Sequence, residues 1–529
     1  MKNISLLFIL ACLINFNAES QPCLPQGITF NYQTEINNFQ INYPNCTEIG
    51  GSVIIEGNSI ANLYGLGSLA SIGGNLTIKT CPLLTKLSGL DNMDSLGGNL
   101  IISNNTSLNK LRGLESLFYI GGGINIYNND ALITLAELDG VNIANSYLVV
   151  RNNSSLENLT GLDSIVTVGD YLIITGNLSL TNMNGLQNLT SVGEELYIEY
   201  NSALVSLSGL ESLTSVGGSV YINYNPSLQS LSELENVNYI GGSIDLSNNI
   251  SITDLFGFDG LSEIIGYLRV KYNDQLVNLN GLQNVTSIGQ SLIIDDNNKL
   301  SNFMGLDSIV TIGGGLSIDG NTKLFNINKL QGLVSIGGFI SITHNPILYS
   351  LTGLDSVSSI DGPITISNNN ILHSLSGLDN IDPVSITGLY VHNNAELSTC
   401  EVRSVCEYME IPDADVMIRY NKSGCDEEHE VELACLTVSE TEIVQSPDFL
   451  IYPVPAKENL TISYSMKTSA MIHISINNIQ GKVVKEIPKY YYQKGLLKKR
   501  INIEDLVQGI YIIKVKTGVS IINKKIVVL

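Results

Sequence analysis

The chain has 529 residues, of which 15% are charged, and its excess of Asp and Glu gives a formal net charge of −23. Such an acidic chain is repelled by phosphate backbones, so we exclude nucleic acid as a partner. The length would allow several domains, but internal repeats have to be examined before any division is made.

The first residues predict export. Residues 1–20, MKNISLLFILACLINFNAES, place Lys2 before an apolar stretch from Ile4 to Phe16 and end in small residues. This arrangement is typical of a cleaved signal peptide. An alternative is a lipoprotein signal in which ILAC would carry lipid on Cys12, although the apolar stretch continues beyond that cysteine. No later stretch is long and apolar enough to cross a bilayer, so we expect no transmembrane segment in the mature chain.

Residues 21–60 are predicted to form an N-terminal cap and the first coil of a repeat. Cys23 and Cys46 bracket the start of this segment. Because exported chains keep disulfides, we expect these two cysteines to pair and to staple the cap.

Residues 61–397 repeat one line of 24 residues. A Gly-Leu pair recurs from Gly65 to Gly377 at intervals of 24 or 48 residues. In the skipped registers Glu137, Glu233 and Lys329 replace the glycine. Because these residues are accepted, we predict that the position does not require a conformation restricted to glycine.

A second column of the repeat is almost invariant and predicts a buried ladder. A small side chain at such a position satisfies backbone groups at a tight turn, and stacked copies form a ladder along the repeat. Cys81 stands in register with the asparagines, so we interpret it as a buried structural thiol. The predicted ladder residues are Cys81, Asn105, Asn129, Asn153, Asn177, Asn201, Asn225, Asn249, Asn273, Asn297, Asn321, Asn345, Asn369 and Asn393.

The apolar spacing within one coil predicts the fold class. Leu196 and Ile198 are two residues apart, as in a short strand, whereas the leucines from Leu204 to Leu213 follow in steps of three. Gly217-Gly218 then turns the chain into the next strand. We therefore predict a mainly β protein, a right-handed parallel β-solenoid of the leucine-rich-repeat type with about fourteen coils.

The solenoid is expected to end in a second cap over residues 398–435. This cap contains Cys400, Cys406, Cys425 and Cys435, whose three possible pairings the sequence leaves open. Residues 436–447 are polar and outside the repeat, which predicts a linker.

The caps and the line L..L.GL..L..IGG.L.I..N resemble the receptor L domain, the leucine-rich-repeat-like solenoid of growth-factor receptor ectodomains and microbial surface proteins. The resemblance covers roughly residues 21–435 and implies the solenoid fold. It leaves the function open, because the family includes hormone-binding, cell-wall and uncharacterised members.

Residues 448–529 are a different kind of segment. They contain 13 Lys or Arg against 5 Asp or Glu, a charge of about +8, which leaves about −31 for the remainder of the chain. Apolar and polar residues alternate over Leu460–Tyr464, Ile472–Ile476 and Tyr511–Val515, as they do in strands with one buried face. A small antiparallel β-sandwich is predicted.

The pieces IYPVPAKENLTI, NNIQGKVV, GIYIIKV and KKIVVL of this tail resemble the C-terminal sorting domain of the Bacteroidetes type IX secretion system. The family usually has Pro-Asn-Pro where this chain has Pro453-Val454-Pro455. The other matching positions are Gly481, Gly509 and Tyr511. The resemblance implies that the secretion machinery is a partner and that the protein is secreted or attached to the outer-membrane surface.

No catalytic or metal motif accompanies these segments. The five histidines do not occur in HExxH, GxSxG or Cys-His metal patterns, so we expect no enzymatic activity, cofactor or metal centre. Asp295, Asp296 and Asp319 approach one another on neighbouring coils beside Lys271. A carboxylate pair or a calcium site is the alternative there to an ordinary solvated face.

Tyrosines on the outward strand face suggest a binding surface. Tyr197 and Tyr221 are predicted to lie side by side, because they are 24 residues apart at an outward position. Such rings suit sugar stacking or protein contact, whereas the simpler alternative is that tyrosine favours strands. The predicted binding residues are Tyr197, Glu199, Tyr200, Tyr221, Asn223, Tyr224, Asp245, Arg269 and Tyr272.

Three hypotheses of function follow. The favoured one is a secreted or surface-attached binding or adhesion module for an extracellular glycan or protein. The second is a structural component of a surface layer or matrix. The third, a solenoid enzyme acting on an extracellular polymer, would need a catalytic cluster that the sequence does not display.

Overall fold

The structure is a computed structural model that describes residues 22–143, 146–441, 449–466, 470–478, 482–517 and 520–529. The predicted signal peptide, with Cys12, lies outside these residues. The chain divides into two compact units, Met1–Cys400 with Glu407–Asp426, and Glu401–Cys406 with Glu427–Leu529. None of the described helices is both long enough and apolar enough to cross a membrane.

A single parallel sheet of 17 strands forms the main face of the first unit. Adjacent strands pair in register, as Tyr197 with Tyr221 illustrates. The strands are Ile28–Phe30, Val53–Glu56, Leu76–Lys79, Leu100–Ser103, Ile124–Tyr127, Leu148–Arg151, Leu172–Thr175, Leu196–Glu199, Val220–Asn223, Ile244–Ser247, Leu268–Lys271, Leu292–Asp295, Leu316–Asp319, Ile340–Thr343, Gly362–Ser367, Ile386–His392 and Val416–Arg419.

Two-residue strands line another side of the coils. They form parallel sheets of five, four and four strands among the described residues. These strands are Glu48–Ile49, Ser71–Ile72, Ser95–Leu96, Tyr119–Ile120 and Asn142–Ile143, then Thr167–Val168, Ser191–Val192, Ser215–Val216 and Tyr239–Ile240, then Glu263–Ile264, Ser287–Ile288, Thr311–Ile312 and Ser335–Ile336. The predicted parallel β-solenoid is thereby confirmed.

The core lies between these two sides. Leu196 and Ile198 point inward from the long strand, and Leu207, Leu210 and Leu213 are fully buried at steps of three. Removing a leucine side chain from water contributes roughly 1.5–3 kcal/mol, and a single coil has no second layer to provide that burial. Stacking of the coils therefore holds the unit together.

The stack is longer than the expected fourteen coils. Its 17 strands correspond to about 16 turns. The sequence count covers only the regular repeats. Both caps add strands to the same sheet, namely Ile28–Phe30 at one end and Val416–Arg419 at the other.

The glycine column adopts two backbone conformations. The prediction that it does not require a glycine conformation therefore holds for the coils with Glu or Lys and is wrong for most coils with glycine. Gly89, Gly209 and most other glycines of the column have φ between +107° and +123°, where a side chain is strained. Coils without this conformation form a short 3-10 helix instead. These helices are Tyr64–Leu66, Ala136–Leu138, Ser232–Leu234 and Asn328–Leu330, with a further one at Pro383–Ser385.

Asn393 is not a ladder residue, which corrects the prediction for the last coil. Asn394 occupies that place, since Asn369 N donates to Asn394 Oδ1 at 3.0 Å. The register shifts between Gly362 and Pro363, whose partners are Ile386 and Gly388. This bulge adds one residue to the coil, so a period of 24 selects the wrong asparagine.

Short helices and disulfides form the caps. At the N-terminal end lie the helices Gln33–Asn37 and Phe39–Asn42, and a disulfide joins Cys23 to Cys46 with a Cα–Cα distance of 5.9 Å. Near the other end, disulfides join Cys400 to Cys425 and Cys406 to Cys435.

Two further helices, Arg403–Met409 and Glu428–Thr441, follow the last regular coil. The second one extends through the first residues of the predicted linker, 436–447. The remainder of that linker lies outside the described residues.

The C-terminal strands form two antiparallel sheets. Leu460 and Ile462 of one sheet and Ile474, Ile513 and Val515 of the other belong to one buried cluster. The three-stranded sheet contains Phe449–Tyr452, Asn459–Met466 and Gly495–Asn502, and the four-stranded sheet contains Val483–Tyr492, Ala470–Asn478, Gly509–Thr517 and Ser520–Val528.

Candidate functional site

Two stacked tyrosine pairs stand on the outward side of the main sheet. Tyr197 and Tyr221 have ring centroids 4.7 Å apart and planes inclined by 8°. Tyr200 and Tyr224 stack at 4.5 Å with an angle of 7°. The pairs form because each partner occupies the same position of consecutive coils, and parallel strands lie about 4.8 Å apart.

The second pair lies just beyond the strands. Tyr200 and Tyr224 adopt φ values of 56° and 57°, at the residue before each ladder asparagine. Their side chains remain 50% and 44% exposed, so one face or edge of each ring is available. Tyr272 occupies the same column two coils further on, with Asn248 between.

A cluster of hydrogen-bonded polar side chains lies beside the tyrosines. Asn223 donates to Glu199 Oε1 at 3.0 Å and accepts from the Ser247 backbone N–H at 2.7 Å. Burial raises the pKa of Glu199, as does the charge of Asp245, while the Asn223 hydrogen bond opposes the increase. Asn223 is 7% exposed, so its orientation is fixed by these partners.

Asp245 and Arg269 form a half-buried ion pair on this face. Their atoms Oδ2 and Nη1 are 3.0 Å apart, and Asp245 is 6% exposed. The Arg269 guanidinium also lies 5.0 Å from the ring centroid of Tyr267. Burial raises the pKa of Tyr267 to about 12, and Tyr221 and Asp245 contribute to the increase.

Tyr267 was not among the predicted binding residues. These came from an outward column inside the strands and from the column before each ladder asparagine, whereas Tyr267 directly precedes the strand Leu268–Lys271. Side chains alternate along extended backbone, so the residue before an inward Leu268 shares the outward face with Arg269. That alternation was the available signal.

The acidic group considered as a calcium site is engaged with a cation and with hydrogen-bond donors. Lys271 Nζ lies 3.9 Å from Asp295 and 3.7 Å from Asp296. Asp295 accepts from Ser317 Oγ at 3.1 Å and from the Asp319 backbone N–H at 3.2 Å. No group of three or more acidic, His or Cys side chains within the described ranges could hold a metal ion.

A groove of about 480 Å³ lies on the outward face among several of these side chains. Its two cations, Arg269 and Lys271, are balanced by the carboxylates of Asp245 and Asp295. The lining comprises Asn223, Tyr224, Asp245, Ser247, Asn248, Arg269, Lys271, Tyr272, Ile293, Asp295, Ser317 and Phe339.

The predicted binding residues divide into two groups around this groove. Five of them line it, namely Asn223, Tyr224, Asp245, Arg269 and Tyr272. The other four are not part of the lining: Tyr221 is on the same strand as Asn223, and the preceding coil carries Tyr197, Glu199 and Tyr200. Phe339 and Ser317 were not predicted, because they belong to coils further along the chain than those that carry the predicted binding residues.

Cys81 begins the buried ladder. Its backbone N–H donates to Asn105 Oδ1 at 3.0 Å, and the thiol is free and buried. Burial raises the pKa of this thiol to about 11, which disfavours the reactive thiolate.

The sorting-motif residues lie in the C-terminal unit. Gly509 begins a strand, and the buried Tyr511 donates its hydroxyl to Val507 O at 2.6 Å. Pro453 and Pro455 follow the strand Phe449–Tyr452. Gly481 lies outside the described residues.

Comparison with known proteins identifies this unit. No curated protein matches the chain. Residues 450–529 match the family described as the secretion system C-terminal sorting domain. The chain therefore carries a C-terminal sorting domain of the type IX secretion system, which implies interaction with the secretion machinery and export to the medium or the outer-membrane surface.

Proposed function

We propose that the protein is an exported binding or adhesion module whose solenoid recognises an extracellular glycan or protein through the tyrosine-flanked groove. The observation that supports this most directly is the pair of tyrosine stacks beside a groove whose charges are already paired. Export places such a surface where it meets extracellular polymers.

The rings and charged groups of the groove are held in place before any ligand arrives. Tyr197 is restrained by Tyr221, and Arg269 by both Asp245 and Tyr267. Ordering a free side chain on binding costs about 0.5–1.5 kcal/mol, so such restraint favours affinity. Tyrosine also offers a large amphipathic surface with only two side-chain torsions.

We propose binding without catalysis. The carboxylates of Asp245 and Asp295 are each paired with a cation, and Asp295 also accepts two hydrogen bonds. This arrangement suits fixed acceptors of ligand hydroxyl groups better than it suits a proton-transfer pair.

The test is a screen of the full chain against arrays of glycans and extracellular proteins, with Tyr197→Ala/Tyr221→Ala alongside. We expect a ligand whose affinity falls about tenfold or more in the double variant. The matched control is Phe325→Ala/Tyr349→Ala, which removes another exposed stacked pair, at 5.9 Å, that does not line the groove.

Two outcomes would contradict the proposal. One is a ligand bound equally well by the Tyr197/Tyr221 variant, which would place recognition elsewhere. The other is a folded protein that binds nothing on either array, which would favour the structural surface component. Circular dichroism melts of all variants establish that they are folded.

A further inference from the structure

A third stacked tyrosine pair lies on the same face of the main sheet, outside the groove. Tyr147 and Tyr171 have ring centroids 5.4 Å apart and planes inclined by 8°. Each directly precedes an inward leucine, Leu148 or Leu172, so both project outward as Tyr267 does.

The backbone beneath this pair provides space for the rings. On the preceding coil the same position is Gly123, and a Cβ atom added there would lie 2.6 Å from the Tyr147 ring. Any side chain at position 123 would therefore displace that ring. The groove repeats this arrangement, since an added Cβ at Gly315 would collide with the ring of Phe339.

A cation and a further ring continue the patch. The Arg151 guanidinium lies 4.7 Å from the ring centroid of Tyr127, on the neighbouring strand. Rings and an exposed guanidinium on adjoining coils offer stacking and hydrogen bonding together, which are the contacts that sugars use.

The patch and the groove form one continuous surface. Tyr171 precedes the strand Leu172–Thr175, which pairs directly with the strand that carries Tyr197. From the strand of Tyr127 to the strand of Arg269 there are seven consecutive strands, which span roughly 29 Å at about 4.8 Å per strand. A glycan that contacts both ends must be an extended chain.

The charges favour an uncharged chain. Each cation of the groove, Arg269 and Lys271, is paired with a carboxylate, and Arg151 of the patch lies over the ring of Tyr127. Outside residues 448–529 the chain carries about −31, which repels polyanions. Flat rings presented repeatedly along one direction match a polymer with repeated ring faces.

We propose that this face binds one extended, uncharged polysaccharide along the stack of coils, and that Tyr147 and Tyr171 form a second subsite for it. The inference rests on the proposed function and specifies its ligand class. Two subsites on one rigid face act on a polymer as linked binding events, so affinity increases with chain length.

The experiment is affinity electrophoresis of the full chain in gels that contain hydroxyethylcellulose, galactomannan, laminarin, arabinoxylan or dextran. The variants are Tyr147→Ala/Tyr171→Ala and Tyr197→Ala/Tyr221→Ala, with Phe325→Ala/Tyr349→Ala as control. Calorimetry with oligosaccharides of the retarding polymer, from the disaccharide upward, then measures the dependence on length.

We expect at least one of these polymers to retard the protein, and each tyrosine variant to weaken binding about tenfold or more. Long oligosaccharides should bind more tightly than short ones, and the advantage should disappear in Tyr147→Ala/Tyr171→Ala. The control should bind as the unaltered chain does.

Other results separate this inference from the function on which it rests. Binding that depends on Tyr197 and Tyr221 alone, without a dependence on length, would overturn the second subsite and leave the proposed function intact. A ligand that proves to be an anionic glycan or a protein would overturn the uncharged polysaccharide alone. A folded chain that binds neither these polymers nor any array ligand would overturn both.

Discussion

At the scale of single residues, each ladder asparagine connects three coils. Asn201 Nδ2 donates to Ile174 O at 2.8 Å, its Oδ1 accepts from Asn177 N at 3.0 Å, and its backbone N–H donates to Asn225 Oδ1 at 3.1 Å. The amide is needed because it donates and accepts at once without a charge. An aspartate would lose the donor and bury a charge.

Asn201→Ala should therefore destabilise the solenoid strongly. It leaves the Asn177 N–H buried without a partner, which costs about 1–3 kcal/mol, and it also removes a side-chain hydrogen bond to Ile174 O. The exposed Asn188 makes one side-chain bond, to Asp163 O, so Asn188→Ala should cost less than about 1 kcal/mol. Thermal melts compare the two variants, and equal midpoints would refute the role of the ladder.

Two carboxylates should respond to pH in opposite directions. Burial raises the pKa of Asp295, against the Ser317 hydrogen bond and the Lys271 charge. For Asp307 burial also acts upward, but the Lys329 partner, 2.6 Å away, outweighs it and lowers the pKa. A carboxyl group whose pKa is raised by folding stabilises the folded state at low pH, and this contribution is lost as the pH rises through the folded-state pKa. A carboxyl group whose pKa is lowered by folding stabilises the folded state above its unfolded-state pKa, and this contribution is lost as the pH falls through the folded-state pKa.

When the pH is raised from about 3 to about 7, the stability of Asp295→Asn relative to the unaltered chain should consequently increase. The relative stability of Asp307→Asn should decrease over the same change. Melting temperatures of the three proteins at both pH values measure these differences. A common sign for the two variants would contradict the assigned environments.

At the scale of the coil, the sequence alternates between two ways of turning. Most coils place a glycine at φ near +110°, and the others insert a 3-10 turn such as Ser232–Leu234. Both versions bury the following leucine, Leu210 or Leu234. The repeat therefore conserves the buried leucine while the backbone before it varies.

Gly209→Ala should destabilise its coil beyond the cost of backbone strain alone. Gly209 has φ +109°, and an added Cβ would collide with Met183 O of the neighbouring coil. Gly140 has φ +93° with no atom within 4 Å of an added Cβ, so Gly140→Ala measures the strain by itself, about 1–3 kcal/mol. Hydrogen exchange and thermal melts should show the larger loss for Gly209→Ala. Equal losses would mean that the neighbouring coil yields without cost.

At the scale of the whole molecule, the repeat-bearing part and the C-terminal segment differ in charge and in sequence pattern. The repeat-bearing part is acidic, whereas residues 448–529 carry about +8 and match a sorting domain. The tyrosine face belongs entirely to the first unit. The sorting domain and the proposed binding face thus lie in separate parts of the chain.

A chain ending at Gln445 should fold its solenoid but accumulate in the periplasm of a type IX secreting host, because the sorting domain is missing. Cell fractionation with antibodies against the solenoid locates the protein. The full chain carrying Tyr197→Ala/Tyr221→Ala is the control and should be exported normally. Undiminished export of the shortened chain would refute the sorting role.

The sequence by itself determined the features that depend on local periodicity. A period of 24 residues, alternation at Leu196 and Ile198, and the tail motifs were sufficient for the solenoid and the sorting domain. Only the tertiary structure decided what depends on contacts between coils. It selected Asn394 over Asn393 because a bulge shifts the register, and paired Cys400 with Cys425. It also brought Phe339 and Lys271 to the groove, because a contact across several coils depends on how far each side chain reaches.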